Sequence, residues 1–337
     1  MSEKKVIKIG THDGVFHCDE ALAIFLLKLL PRYKDAVVIR SRDLNILDTC
    51  DIVVDVGTKY DHSICRYDHH MRDFNESLST IIKEPGCECK IKLSSAGLIY
   101  CHYGHEIIQQ LAPANTNSNT IKAIFKNVYF KLIQEIDAID NGVPMTQDEP
   151  TYTISTGISS RVNRLNPPWN DKTTDVDEQF QKAIELVGEE FMYAVNVCIN
   201  IWLPARAIIE KALANRFKVH NSGEIIILEK NAPWQYHLAQ LEKEINIKPL
   251  IKYIIFKDSS SEFKVRAVSV KPSSFVCRLY LPEKWGGLRT TELDKVSGIK
   301  GCVFVHTNRF IGGHTTQAGA LNMAIKALKM GKEKTKK

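Results

Sequence analysis

Apolar residues come in short blocks set between charged and turn-forming ones, and over the first 60 positions the blocks alternate between strand and helix length. Val6–Ile9 is a short apolar run that ends at Gly10. Ala21–Leu30, rich in Ala, Leu, Ile and Phe, predicts a buried helix stopped by Pro31. Val37–Ile39 and Ile52–Val56 predict two more strands, apolar enough for a covered parallel sheet. Strands spaced by helices of this length imply an α/β domain.

Helical periodicity dominates next, over Ser95–Tyr103, Glu106–Leu111 and a long run Thr120–Ile139 that ends at Asn141-Gly142. Residues 143–174 are polar and carry Pro144, Pro150, Pro167 and Pro168, the composition of a loop or arm. Val176 to about Asn215 is helical again apart from Pro204. Then the texture changes: Glu224–Leu228, Tyr253–Phe256, Phe263–Val270 and Cys302–Val305 read as strands, with helices at Trp234–Glu244 and Gln317–Lys329. The expected organisation is a first domain over 1–215, a smaller α/β domain over 216–330 and a basic tail over 331–337.

Charge alters the picture only when it is located. Lys and Arg number 45 against 39 acids, a net of +6 that suggests a basic nucleic-acid binder. Residues 326–337, however, hold six Lys and one Glu, so a terminal lysine cluster carries most of that excess. Residues 43–76 hold eight acids against three bases, an acidic region inside a basic chain. Nine cysteines, an odd count with only Cys87-Glu88-Cys89 closely spaced, fit a reducing interior. No run of 18 or more apolar residues predicts a membrane span. The start runs straight into a strand pattern with no signal-peptide or transit-peptide texture, so cytoplasm or nucleus is the expected location.

The chemistry lies in the histidines. Five of the eleven (His12, His17, His62, His69, His70) fall in the first 70 residues, beside carboxylates. His12 to Glu20 lie on a strand-to-helix connection and Asp55 closes another strand. Both belong at the C-terminal edge, where parallel sheets place ligands. Tyr67 is followed by Asp68-His69-His70. Mixed imidazole and carboxylate donors without thiolate suit Mn²⁺, Co²⁺, Zn²⁺ or Fe²⁺, and the constellation predicts a site for two divalent ions. Glu20 reads as a helix-start acid favoured by the helix dipole, Asp13 as a turn residue, and His102 and His105 as surface groups.

These segments resemble the four motifs of the DHH phosphoesterase superfamily. Thr11-His12-Asp13-Gly14-Val15-Phe16-His17-Cys18-Asp19-Glu20, Asp68-His69-His70, Glu135–Gly142, Leu281–Arg289 and the Gly301–Gly313 region resemble, more narrowly, the melanocyte-proliferating-gene (Myg1) exonuclease family, from residue 6 to about 328. The superfamily spaces its first ligands His-x3-Asp-x-Asp, whereas here His12-x4-His17-x-Asp19 replaces an Asp by His17, which favours transition metals over Mg²⁺.

The resemblance implies that His12, His17 and Asp55 hold one ion, with Mn²⁺ the expected metal. Asp19, Asp55, His69 and Asp140 would hold the second, with Asp137 in reserve for Asp140. Asp68 would orient a ligand and His70 would face the phosphate, so that Asp55 and His70 carry the catalysis. In the second domain Gly312-Gly313-His314 is similar to the Gly-Gly-His motif of the DHH-associated domain, which grips substrate across a cleft. Two glycines before a helix admit an anion to backbone N–H groups. Arg206, Arg278 and Arg309 are candidate phosphate contacts.

The expected function is therefore a metal-dependent phosphodiester hydrolase, a 3′→5′ exonuclease on single-stranded RNA or a short oligonucleotide. The alternatives are a small-molecule phosphoesterase or pyrophosphatase with the same centre, and a non-catalytic binding or regulatory protein on the same fold. No HExxH helix supports a protease. A mitochondrial location is a further implication of the family resemblance.

Overall fold

The computed structural model describes residues 5–272 and 274–335. Lys336 and Lys337, the end of the expected basic tail, lie outside the described residues; the backbone from Gly331 to Thr335 continues the last helix. The chain divides into two compact units between Ile199 and Asn200. The change of texture near residue 215 coincides with the end of a helix at Ala214.

The first unit holds β1 (Lys8–Thr11), β2 (Val37–Arg40), β3 (Ile52–Val54), β4 (Tyr60–Asp61) and β5 (Arg66–Tyr67), in the order β2-β1-β3-β5-β4. β1 runs parallel to β2 and β3, and β3 parallel to β5. The parallel sheet read from the apolar runs is thus closed by one antiparallel edge strand, β4. β4 and β5 are two residues each, too short to leave a period in the sequence.

Against this sheet lies α1 (Cys18–Lys28), buried on almost every side, because α2 (Ser95–Leu111) and a later helix, Val176–Val197, both pack on it. α2 is one helix where the sequence suggested two segments. The long run expected over Thr120–Ile139 is α3 (Ser118–Val128) and α4 (Gln134–Asp140), joined by a π-helical turn at Tyr129–Ile133. The stretch read as loop contains a short helix, α5 (Ile158–Asn163). The later helix is α6 (Val176–Val197). Its Gly188 admits the Phe25 ring of α1, which would lie 2.2 Å from a Cβ placed there. Through a π-helical turn at Cys198–Trp202, α6 continues into α7 (Leu203–Ala214). Among the described residues this run, 176–214, is the one helix long and apolar enough to cross a bilayer by length and composition. Its Phe180, Ile184, Val187 and Phe191 are buried within the first unit.

The second unit holds β6 (Ile225–Ile227), α8 (Gln235–Glu244), β7 (Tyr253–Lys257), β8 (Phe263–Ala267), α9 (Thr290–Ser297), β9 (Cys302–Val305), β10 (Ile311–His314) and α10 (Gln317–Thr335). Strand order is β6-β7-β8-β10-β9, with only β6 and β7 parallel. The period of two sends neighbours to opposite cores. Ile226 and Ile254 join Ile209, Leu213, Leu238 and Leu241 of α7 and α8. Ile225, Ile255 and Val265 join Ala320, Met323 and Ala327 of α10. The fold is α/β with two mixed sheets.

Candidate metal centre

Parallel pairing places the donors. Ile9 and Gly10 of β1 lie beside Ile52 and Val53 of β3, and Val54 lies beside Tyr67 of β5. His12, Asp55 and Asp68-His69-His70 therefore leave the sheet at one edge. Asp55 sits just past β3 in the left-handed region, with φ +60°, and its N–H donates to the Tyr67 carbonyl at 3.1 Å. The first turn of α1 brings Asp19 and Glu20 to the same edge, both wholly buried.

The carboxylate of Asp55 is shared. Its Oδ2 lies 3.3 Å from His12 Nε2, which is 3.1 Å from Glu20 Oε1. Its Oδ1 lies 3.1 Å from His69 Nε2. His69 Nε2 in turn is 3.1 Å from Asp140 Oδ2 and 3.9 Å from Asp19 Oδ2. Three donor sets result: His12, His17, Glu20 and Asp55; Asp55, His69 and His70; and Asp19, His69 and Asp140. Within each, the donor atoms lie within 4.8 Å of one another, so each set could hold a metal ion.

The electrostatics suit a cation. Burial, with the Asp19 and Asp55 charges beside it, drives the Asp140 carboxyl well above its ordinary range. Burial does the same for Glu20, although His12 opposes it. For His12, burial would lower the pKa, but contacts to Asp55 and Glu20 outweigh it and the imidazole is raised. Asp140 and Glu20 thus carry the cost of neighbouring carboxylate charge in a buried setting, whereas, against its burial, His12 and His69 hold Asp55 well below the ordinary carboxylate range. Asp19 Oδ1, Glu20 Oε2, His12 Nε2 and His69 Nδ1 are buried without hydrogen-bond partners. Buried polar atoms of this kind are costly unless something binds them. His12 Nδ1 lies 3.0 Å from the Asp13 carbonyl, and donation there would leave Nε2 to take a metal ion in place of a proton. The residues fit a bound metal.

The supporting contacts separate ligands from scaffold. Ser95, at the start of α2, donates from Oγ to Asp19 Oδ2 at 2.6 Å. Its neighbour Ser94 donates to Asp137 Oδ1 from N (2.9 Å) and Oγ (2.8 Å), and Tyr129 donates to Asp137 Oδ2 at 3.0 Å. Asp137 belongs to none of the donor sets; Asp140, one turn later, belongs to one. Asp68 accepts from the Thr58 N–H at 2.6 Å, from the His70 N–H at 3.1 Å and from His70 Nδ1 at 2.8 Å, fixing the Asp-His-His turn. His17 and His70 are exposed at the rim of a cavity of about 410 Å³.

Other candidates lie elsewhere. Asp13 pairs with Arg42 at the surface, 3.2 Å away. His102 is half-buried, its ring 3.8 Å from that of His62, and His105 stacks on Phe125. Glu20 is the donor that local reading missed, since acids are common at helix starts and only tertiary packing buries this one.

In the second unit, Gly312 and Gly313 lie in β10, hydrogen-bonded between β8 and β9, and not in a loop before α10. Neither has a positive φ; what glycine supplies at Gly313 is room, since a Cβ there would meet the Phe304 ring at 3.0 Å. His314 is buried with both ring nitrogens engaged: Nε2 lies 2.8 Å from the Lys300 carbonyl, and Nδ1 accepts from the Thr316 N–H at 2.9 Å. Arg206 pairs with Glu210 and Glu244. Arg278 forks onto Glu242, both bonds at 2.7 Å. Arg309 lies over the Tyr280 ring with φ +59°. Arg266, which the sequence reading passed over, lies over Phe310 and lines a cavity of about 370 Å³ with Asn231 and Gln235. Its place inside a strand gave no signal.

Comparison with known proteins places the chain. The MYG1 exonuclease family model, described as an uncharacterised protein family (UPF0160), matches residues 8–328. A MYG1 exonuclease of Rattus norvegicus is 48% identical over 94% of this chain and 83% of its own length. A MYG1 protein of Caenorhabditis elegans is 47% identical over 96% of both chains, and one of Saccharomyces cerevisiae is 37% identical over 97% of both. No solved structure matches. A family-wide match over nearly the whole length, joined to a buried His and carboxylate centre at a strand edge, identifies the chain as a member of the MYG1 exonuclease family.

Proposed function

We propose that the chain is a metal-dependent phosphodiester hydrolase of the DHH-phosphoesterase kind, a 3′→5′ exonuclease on single-stranded RNA that works with two Mn²⁺ ions. The observation that carries this reading is the division of Asp55, one carboxylate oxygen toward His12 and the other toward His69. A carboxylate so divided suits two cations at once. His12, His17, Glu20 and Asp55 would hold one ion, and Asp19, Asp55, His69 and Asp140 the other. Bound there, such ions lower the pKa of water and offset charge on phosphoryl oxygens.

The chain's own groups do the rest. His70 engages Asp68 through Nδ1, so its exposed ring presents Nε2 outward. The Asp68 contact raises its pKa, which favours the imidazolium that donates to a phosphoryl oxygen. Asp68 holds that ring, and Ser95 holds Asp19.

The test is release of mononucleotides from end-labelled single-stranded RNA with Mn²⁺, native chain against Asp55→Ala. Stepwise shortening from the 3′ end that vanishes in the variant supports the reading; equal activity in both sinks it. Pyrophosphate and a cyclic dinucleotide, offered in parallel, report the small-molecule alternative.

A further inference from the structure

The cavity beside the metal ligands has walls of unlike chemistry. One side carries His17, Asp19, His70 and Asp140. Another is apolar, from Ile136 and Ile139, and Ile139 remains 51% exposed although it adjoins Asp140. The third is α5, which contributes Ser159, Ser160 and Asn163. This wall has hydroxyl and amide groups and no charge. Ser159 Oγ is buried with no partner beyond its approach to the Cys18 thiol.

The wall is also fixed. Asn166, just after α5, accepts from the Phe16 N–H at 3.0 Å and donates to the Phe16 carbonyl at 2.8 Å. That two-way clamp ties α5 to the loop bearing His12 and His17, so hydroxyl-reading groups stand at a set distance from the ligands. About 410 Å³ admits a small ligand of roughly one nucleotide.

We infer that the α5 wall reads the sugar of the terminal nucleotide: Ser160 and Asn163 hydrogen-bond the adjacent 2′- and 3′-hydroxyls of a ribose while its base lies on Ile136 and Ile139. The inference rests on the phosphodiesterase reading above and adds what makes the site choose ribose over deoxyribose. Neutral hydroxyl and amide groups both donate and accept, as sugar hydroxyls do, whereas a phosphate calls for a cation. A sugar lacking the 2′-hydroxyl leaves such a wall with an unpaired polar group, and this is how sites built for a hydroxyl discriminate.

The test pairs ribo- and deoxyribo-oligonucleotides of one sequence on native protein, on the double variant Ser160→Ala/Asn163→Ala, and on Arg161→Ala as an exposed control. In parallel, calorimetry with Mn²⁺ measures binding of adenosine 5′-monophosphate and its 2′-deoxy counterpart. Native protein should prefer ribose about tenfold or more in both kcat/KM and Kd, the loss expected of one or two hydrogen bonds. The double variant should bring both ratios toward one, and Arg161→Ala should keep the native ratios. A double variant that retains the native preference, or a native protein with none, overturns the inference. If native protein cleaves neither oligonucleotide, the phosphodiesterase reading fails, and the two nucleotide affinities still decide the wall by the same criterion.

Discussion

Ser95 Oγ donates to Asp19 Oδ2 at 2.6 Å, and the Ser95 N–H supports it at 3.3 Å, while Asp19 Oδ1 is buried without a hydrogen-bond partner. One oxygen is fixed by the start of a helix and the other is held ready for a ligand. Groups that orient a metal ligand commonly change metal affinity about 10–100-fold when removed. Ser95→Ala should therefore weaken Mn²⁺ binding by at least about tenfold in a calorimetric titration while the far-ultraviolet spectrum stays native. An unchanged affinity would show that Asp19 needs no such anchor.

Asp55 combines a backbone demand with a chemical one. Its φ of +60° suits Asn almost as well as Asp, so Asp55→Asn tests the charge without straining the turn. The variant should melt within a few degrees of the native chain and bind fewer Mn²⁺ per chain by elemental analysis, with activity down about 1,000-fold or more. Asp55→Ala adds strain of about 1 kcal/mol and should melt lower. Two variants that melt alike would refute the backbone argument.

Asp137 and Asp140 lie one turn apart and answer to different assays. Asp137→Ala strands Ser94 and Tyr129 around a buried gap and should cost about 2 kcal/mol or more in urea unfolding. It should retain Mn²⁺ binding. Asp140→Asn should do the reverse, lowering Mn²⁺ binding with little change in the unfolding midpoint. Exchanged outcomes would reassign the ligand.

Burial and the neighbouring His62 push the His102 imidazole down to about 4, and the neutral ring accepts from the Tyr60 hydroxyl at 2.8 Å. Between pH 4 and about 6.5 the unfolded chain binds a proton there that the folded chain refuses, so this group's contribution to stability rises with pH. Native protein should lose more of its melting temperature between pH 7 and pH 5 than His102→Gln does. Parallel curves would remove His102 from the account.

How much the sequence discloses depends on whether a feature is local. Strand-end placement of His12 and Asp55 is legible because apolar runs mark where β1 and β3 stop. The Asp-His-His triplet is legible because it is contiguous. Glu20 is not: a helix-start acid looks the same whether solvated or, as here, enclosed by a sheet edge. The glycine pair 312–313 suggests a loop because glycine is usually read through backbone freedom. Its actual setting, a strand between two others with a ring over it, depends on partners as distant in sequence as Phe263–Ala267. Ser95 and Asn166 were silent for the same reason, since each matters only through a contact made far along the chain, at Asp19 and Phe16.

The Asn166 clamp has a consequence for chain continuity. Residues 143–156 are all exposed, whereas the segments on either side are pinned together by the two bonds between Asn166 and Phe16 and by the packing of α5 against α1. A protease nick in that stretch would leave both cavity walls docked. Separately expressed halves cut there are therefore expected to reassemble the centre by complementation, and halves that bind Mn²⁺ no better together than apart would show that the clamp does not hold the walls.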